Sequence, residues 1–422
     1  MSVFCALSNS LVADVEGFKL PYAPWKRAYS SLRSIANPLP ATFLRGGTSK
    51  GIFIKRADLP EDRSEWDRIF LGIMGSPDPE YGRQLNGMGG GVSSLSKICV
   101  VGPASDAQRA DGVDVEYTFV QVGIRDSVLD YSGNCGNLSS MIGVFAMDEG
   151  ICAASFVDRK SNAASVRSFN TNTKKRVDTT FPISTSHEGI VPDLEMEQVA
   201  MAGVPGKASQ IVLEFVSPGG ARTGRLLPTG RPKDALIFKV LGHPYSIPAS
   251  LVDATNPTIF VASTDLRTIL GVPSQSPIID YSDDVVLEFL EAIRHEGARQ
   301  MGLNPAAQAQ PKIAILSHCM VEGKVSDADI AIHALSMGVL HKAVPMTVGL
   351  CLGVAAGIKG TLAQDIVSQG RAHKAAENPS LIRIRHPGGL VDVGADFNSN
   401  GTVKSAKVVR TGRRLMKGAV WW

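Results

Sequence analysis

The stretch Asp130–Gly150, DYSGNCGNLSSMIGVFAMDEG, sets one cysteine between two Gly-Asn corners directly ahead of a helix-like apolar run. Gly133 and Asn134 tolerate the tight backbone of a turn, and Asn137 or Ser139 is expected to cap the helix that follows. Cys135 is thereby predicted at a helix N-terminus among free N–H groups, a setting that favours the thiolate for proton transfer or attack. Leu138, Ile142, Phe145 and Ala146 form the apolar stripe, and the helix is expected to end at Glu149–Gly150.

Working outward, Val113–Gly133 alternates as two strands into this turn, and Ala41–Ile54 (ATFLRGGTSKGIFI) reads as strand, glycine turn and strand. That turn presents Arg45, Thr48, Ser49 and Lys50, a cluster suited to a carboxylate, although a plain hairpin turn explains the glycines equally well. Asn86–Gly102 is a second glycine turn, with a serine cluster, Lys97 and a strand-like ICVVG. It lacks both the Walker order and GxGxxG, so phosphate binding is not indicated. Lys97 is either a solvated lysine at a strand entry or one drawn into the interior, where it would shed its proton more readily and serve as a base.

Ser64 is expected to cap a helix with the stripe Trp66, Ile69, Phe70, Ile73 and Met74, and further helices are expected at Asp283–Gly302, Asp327–His341 and Val348–Ile358. Strands are expected over Phe156–Phe181, Gln210–Val216, Leu236–Pro248, Thr258–Ala262, Lys312–Ser317, Ser380–Phe397 and Thr402–Trp421. The corner Pro228-Thr229-Gly230-Arg231 either faces a ligand or is an ordinary turn. In each half, strands lead to a turn and then an apolar helix rich in small residues, at Cys135–Gly150 and again at Thr347–Gly360. The echo predicts a duplicated α+β architecture with a ligand cleft between the halves and both helix N-termini facing it.

The chain has 422 residues with 44% apolar and 20% charged side chains, ordinary values for a soluble protein of two domains. A net charge of +3 gives no nucleic-acid footprint; the one dense basic run, Arg410–Lys417, suits attraction of an acidic substrate. Six widely spaced cysteines without CxxC read as free thiols in a reducing, cytoplasmic compartment. Ala343–Ile358 is too short and too rich in glycine for a bilayer span, so no membrane partner is expected. Residues 1–38 form a basic, Ser-rich extension, read as a surface tail with a mitochondrial transit peptide as the second reading. The eight histidines show no convincing metal-ligand spacing, and GxSxG is absent.

RGGTSKG (Arg45–Gly51), NGMGG with SSLSK (Asn86–Lys97), DYSGNCGNLSS (Asp130–Ser140), LPTGR (Leu227–Arg231) and HKAVPMT (His341–Thr347) together resemble the PrpF family, in the same order from about Ala41 to the C-terminus. Its members isomerise small unsaturated polycarboxylic acids such as 2-methylaconitate, and it belongs to the diaminopimelate-epimerase-like fold. The resemblance implies two similar domains, each a β-barrel-like sheet around a central helix, with the active site in the interdomain cleft. The expected boundaries are 1–38 for the extension, 39–185 for the first domain and 186–422 for the second, with a C-terminal strand free to cross back to the first.

The resemblance further implies that Lys97 and Cys135 hold the two catalytic positions and that substrate carboxylates are held by Arg45, Thr48, Ser49 and the N–H groups of Gly133, Asn134, Gly136 and Asn137, with Arg231 and His341 as further candidates. Epimerases of this fold use two cysteines, one at each helix entry; here the second entry, Pro345–Thr347, has none, and Cys351 lies a turn inside. The expected function is a cofactor-independent cis-trans or double-bond-shifting isomerase acting by allylic proton abstraction and return. No metal or other cofactor is required, and a homo-oligomeric state stays open. A cysteine-dependent hydrolase and a non-catalytic polycarboxylate binder are the alternatives from other classes.

Overall fold

Alternating apolar and polar residues recur along the chain, and accordingly strand is the commonest regular structure among the described residues. The computed structural model describes residues 36–186, 189–273, 279–319, 327–336, 338–371 and 381–422. Most of the extension 1–38, together with Cys5, His187 and His373, lies outside the described residues. Among the described residues, twenty strands join in one continuous sheet and two more make a separate hairpin, Val199–Met201 with Val204–Ala208. The class is therefore mixed α+β with a large sheet.

Strands β1 (Leu39–Gly46) and β2 (Ser49–Lys55) pair antiparallel across the turn at Gly47 and Thr48. Between β2 and β3 (Lys97–Pro103), which run parallel, comes helix α1 (Trp66–Met74), whose five apolar stripe residues are all buried. The cap differs from expectation: the Asp62 carboxylate accepts from the Ser64 N–H at 2.9 Å in a 3-10 turn leading into α1, and Ser64 caps nothing. An ionised carboxylate is the stronger acceptor of the two. Helix α2 (Asp106–Ala110) then leads to β4 (Val115–Val122), antiparallel to β3. The strand Gly412–Val420 closes on the other edge of β1, with Leu39 opposite Val420.

The run that follows Cys135 folds as two short helices, α3 (Gly136–Ser139) and α4 (Ile142–Asp148). Ser140 Oγ donates back to the Asn137 carbonyl at 2.7 Å, a local bond that competes with helix continuation and accounts for the break. Neither Asn137 nor Ser139 caps α3; the N-cap is Cys135 and its side chain makes no capping bond. Both polar side chains are used elsewhere, as described below.

Three buried apolar clusters follow. The first surrounds α3 and α4 and takes Leu44, Phe53, Tyr117, Phe145, Val166 and Phe181; the Phe53 and Phe145 rings lie 5.5 Å apart. The second surrounds the helix Met346–Ala356, packed against Phe260, Ile384, Val393 and Val408. The third lies under the helix Asp284–Gln300, which Asp283 caps by accepting from the N–H groups of Val285 and Val286, and joins Leu236, Leu251, Ile259 and Ile313. The strand Ile211–Val216 links the first two: one edge pairs with Lys175–Ser186, the other with Val403–Arg410, where Ile211 stands opposite Arg410. Each fully buried Leu, Ile or Phe contributes about 1.5–3 kcal/mol of transfer free energy, so these clusters hold the fold.

One expected helix is overturned. Within Asp327–His341 the chain forms the strand Ile330–Ser336 and a short strand Val339–Leu340. Ile330 and Ile332 alternate on one buried face, and the strand lies between Lys312–Ser317 and Leu381–His386, where β-branched residues pack well on both sides. Helix-favouring Ala, Leu and Met in the same stretch are outweighed by that burial.

The two central helices share one device, a glycine facing a strand. A Cβ at Gly143 would lie 2.9 Å from Val166 Cβ and 3.0 Å from the Phe181 ring, and one at Gly353 would lie 3.0 Å from the Gly394 backbone. Gly143→Val is therefore expected to lower stability by roughly 1–3 kcal/mol through overpacking. Urea denaturation is the check, and an unchanged midpoint would show that α4 does not rest on those strands.

Candidate active site

Sheet register brings the site together. Gly46 pairs with Ser49, Leu44 with Gly51, Phe53 with Cys99 and Lys97 with Gln121. Side chains alternate along a strand, so Ser49 and Gly51 share a face and a sheet end with Lys97 and Gln121. Below them on the same face lie Phe53, Cys99 and Phe119, the floor on which α3 and α4 pack. Gly51 keeps the row open: a Cβ there would fall 2.7 Å from Leu138 Cδ1 and 2.8 Å from the Lys97 carbonyl oxygen. At Gly46 and Gly47 a Cβ would collide with Asn137, so the glycines of RGG serve the approach of α3 as well as the turn, where Gly47 has φ +52°.

Lys97 is 8% exposed. Its Nζ donates to Gln121 Oε1 and sits 5.1 Å over the Phe119 ring; among the described residues no carboxylate pairs with it. Gln121 is held by its own amide, whose Nε2 donates to the carbonyls of Ser96 and Ser93 at 2.9 and 3.2 Å, which turns its oxygen toward Lys97. Ser96 Oγ in turn donates to the Val122 carbonyl and accepts from Gln84 Nε2. The serine cluster thus fixes the entry of β3.

Cys135 is half-buried, with Sγ 3.8 Å from Ser49 Oγ. Its turn is braced from beneath: Asn134 Nδ2 donates to Tyr117 Oη at 3.0 Å, Tyr117 Oη lies 3.0 Å from Ser139 Oγ, and Ser139 Oγ reaches Asn134 Oδ1 at 3.1 Å. Burial pushes the Tyr117 hydroxyl well above its ordinary titration range, so it stays protonated as a donor. Cys99 lies under both candidates. Its thiol is pushed well up, first by burial and then by Cys135, with Lys97 opposing.

Asn137 is the hub. Its Nδ2 donates to Thr48 Oγ1 at 3.0 Å and Ser49 Oγ at 3.5 Å, while its Oδ1 accepts from Arg410 Nε at 3.1 Å. Gly136 abuts the first residue of the Met346–Ala356 helix, since a Cβ there would run into Met346 Sδ. Arg45 Nη1 donates to the Gly47 carbonyl and to both oxygens of Thr411, and burial, then Arg413, lowers its ordinary pKa. A cavity of about 210 Å³ borders this corner, lined by Gln198, Met201, Arg383, Asp392, Arg410 and Thr411. The tip of the Val199–Ala208 hairpin lies over it, where a Cβ at Gly203 would be 3.1 Å from Thr48 Cγ2.

Of the residues singled out from the sequence, Lys97, Cys135, Ser49, Thr48, Asn137, Asn134, Gly136 and Arg45 gather here, and no heavy atom lies within 4 Å of where a Cβ at Gly133 would stand. Two others are engaged outside this network. Arg231 Nε and Nη2 both reach Oδ1 of buried Asp234, at 2.7 and 2.6 Å, so the LPTGR corner satisfies itself. The His341 backbone is tied to Ala334, and its ring titrates low through burial and the nearby Lys312. Tyr117, Gln121, Ser139, Arg410 and His386 are new. Alternation toward the first core marks Tyr117 and Gln121 in the sequence, whereas only the dense basic run hints at Arg410. Among the described residues, no three His, Cys, Asp or Glu side chains converge as metal ligands.

His333, His341 and His386 all titrate below the usual histidine range, each mainly because burial disfavours the imidazolium, with Arg410 adding to it at His386. The unfolded chain takes up these protons near pH 6.5 and the folded chain only below that, so stability should fall as pH drops below about 6.5. His386→Gln should flatten that fall between about pH 7 and pH 5. Urea midpoints across this range test it; a slope unchanged in the variant would remove His386 from the account.

The model described as PrpF protein matches residues 37–422. The chain is similar to the 2-methyl-aconitate isomerase of Shewanella oneidensis, with 36% identity over 403 residues that cover 90% of this chain and 96% of that one. It is similar to the 3-methylitaconate isomerase of Eubacterium barkeri at 33% identity, over 91% of this chain and 97% of that one. Among solved structures, methylitaconate-delta-isomerase superposes with a TM-score of 0.76 at 32% identity, over 92% of this chain and 96% of that one.

Proposed function

The chain belongs to the PrpF family, and from that premise we propose that it isomerises a small unsaturated polycarboxylic acid, of the class of 2-methylaconitate or methylitaconate, by moving an allylic proton. The observation that carries this reading is a buried lysine, with no carboxylate partner among the described residues, on the sheet end over which a half-buried thiol lies. Lys97 Nζ acts as the base that takes the proton from the carbon next to the double bond, and the electron pair of the broken C–H bond delocalises toward a carboxylate. Return of the proton to the same carbon after bond rotation gives the cis-trans isomer; its return to the far allylic carbon shifts the double bond. Cys135 serves as acid or proton relay in that return.

Around this pair the candidate donors are neutral. Ser49 Oγ, Thr48 Oγ1 and the N–H groups from Gly133 to Asn137 suit carboxylate oxygens without supplying a competing base. Gln121 fits the role of a positioning residue, because its oxygen accepts from Lys97 Nζ while its own amide is tied to the Ser93 and Ser96 carbonyls. We read the two helix-centred regions as similar domains that meet where Gly136 touches Met346, with the reaction cleft at that junction.

Lys97→Ala should reduce uptake of solvent deuterium at the substrate's allylic carbons by about 10²- to 10⁴-fold, with a smaller loss for Cys135→Ala. Incubating aconitates, 2-methylaconitate and methylitaconate in deuterated water and following them by proton NMR measures both. Undiminished exchange in Lys97→Ala would sink the proposal.

A further inference from the structure

Arg410 ends the strand Val403–Arg410, whose buried alternate residues Ala406 and Val408 lie in the core around the Met346–Ala356 helix. By the same alternation its side chain faces that interior, and it is 9% exposed. Its guanidinium is bonded only to neutral oxygens: Nε to Asn137 Oδ1 at 3.1 Å and Nη1 to the Val409 carbonyl at 2.9 Å. Among the described residues no acidic side chain pairs with it. A buried guanidinium in this state carries its desolvation cost uncompensated, and burial indeed lowers it to about 10, with Cys135 alone opposing.

The groups nearest it add positive charge or none, and Asp392, which lines the adjoining cavity, is already paired with Arg383. His386 lies close enough for Arg410 to lower it further, and the His386 Nδ1 lone pair is taken by the Gly388 N–H at 3.1 Å. Arg45, lowered by burial and then by Arg413, lies at the same corner, where among the described residues it likewise finds carbonyl and hydroxyl acceptors. Other arginines in the sheet are matched: Arg383 with Asp392, Arg176 with Asp178 and Arg414 with Asp148. The 210 Å³ cavity bordered by Arg410 and Thr411 has the volume of roughly seven waters, enough for a short polyacid. The Arg fork fits a carboxylate through two parallel bonds.

We infer that Arg410 is the anchor for a carboxylate of the substrate, the counter-charge that no acid among the described residues supplies to this buried cation. The inference rests on the isomerase reading for which carboxylate it holds, but the anion site itself does not need that reaction. Asn137 sets the geometry: its oxygen orients Arg410 while its nitrogen reaches Thr48 and Ser49, and Ser49 touches the Cys135 thiol. An acid whose reacting carbon lies at Cys135 would therefore have its second carboxylate directed to Arg410, two side chains away.

The probe is tricarballylate, a saturated tricarboxylate with no double bond to isomerise, titrated calorimetrically into the full chain and into Arg410→Met and Arg410→Lys. Wild type should bind it, Arg410→Met should lose at least about tenfold in affinity, and Arg410→Lys, which keeps the charge without the fork, should fall between them. Without ligand, Arg410→Met should melt at the wild-type temperature or above, because an uncompensated buried charge is removed. A purely structural role for Arg410 predicts the reverse: a lower melting temperature with affinity unchanged. Wild type that fails to bind tricarballylate, or an Arg410→Met or Arg410→Lys protein that binds it as wild type does, would overturn the inference. Arg410-dependent binding in a chain that exchanges no allylic proton would leave the anchor standing and remove the isomerase; exchange with Arg410-independent binding would do the opposite.

Discussion

The approach of α3 to the ends of β1 and β2 is the contact on which the rest of the site depends. Asn137 lies so close to Gly46 and Gly47 that a single added methyl group at either position would collide with it. That closeness lets one amide side chain reach Thr48 and Ser49 on one side and Arg410 on the other, and it holds the Cys135 thiol over Ser49. Gly51 does the same one residue pair further along, where Leu138 and the Lys97 carbonyl would meet a side chain. Three glycines of one RGGTSKG segment therefore position the thiol, the hydrogen-bond hub and the strand that carries the lysine. A shift of the helix by the width of a methyl group would uncouple all three.

Most of the fold is legible in the sequence because strand alternation is strong and the glycine turns punctuate it. The strands flanking Cys135, the strand Lys312–Ser317 and the helix Asp284–Gln300 are all marked by period alone. The stretch Asp327–His341 misleads because Ala, Leu and Met raise its helix propensity, while its burial between two strands is a tertiary fact that no local window contains. The break between α3 and α4 is hidden for a different reason: a serine that bonds back three residues looks like any tolerated helix serine until the bond is seen. That the helix Asp284–Gln300 carries a third core of its own also depends on which strands come under it.

Within the site, the residues that announce themselves are those in unusual local company. Cys135 stands between two Gly-Asn corners and Lys97 follows a serine cluster, so both are visible, and the family match over 37–422 agrees with the motifs that single them out. Alternation marks Gln121 and Tyr117 only as inward-facing, because what each touches comes from strand register, which sets Gln121 opposite Lys97 and brings Tyr117 to Asn134. Arg410 is 273 positions from Asn137 and reaches it only because its strand joins the one that begins at Ile211. Arg231 errs in the other direction: Pro-Thr-Gly-Arg looks like a presented guanidinium, but Asp234, three residues on, is buried and takes it.

The second helix entry bears on why the chemistry is one-sided. A two-base racemase needs a proton donor and acceptor on opposite faces of one carbon, and in the two-domain reading proposed above the second such position falls at Pro345–Thr347. Here Met346 fills that position with a thioether packed on Gly136, and Thr347 is committed to Thr255 and Asn256 through its carbonyl and hydroxyl. Cys351, the remaining thiol of that helix, is fully buried, lies 3.5 Å from the Val252 carbonyl and is pushed up to about 12. Cys351 is therefore not in a position to ionise toward the site. The groups proposed to move a proton, Lys97 and Cys135, both belong to the first half, which under that proposal suits removal and return of an allylic proton better than inversion of a tetrahedral centre by two opposed thiols. The second half contributes apolar surface and one buried cation instead: Met346 packs on Gly136, and Arg410 has no acidic partner among the described residues.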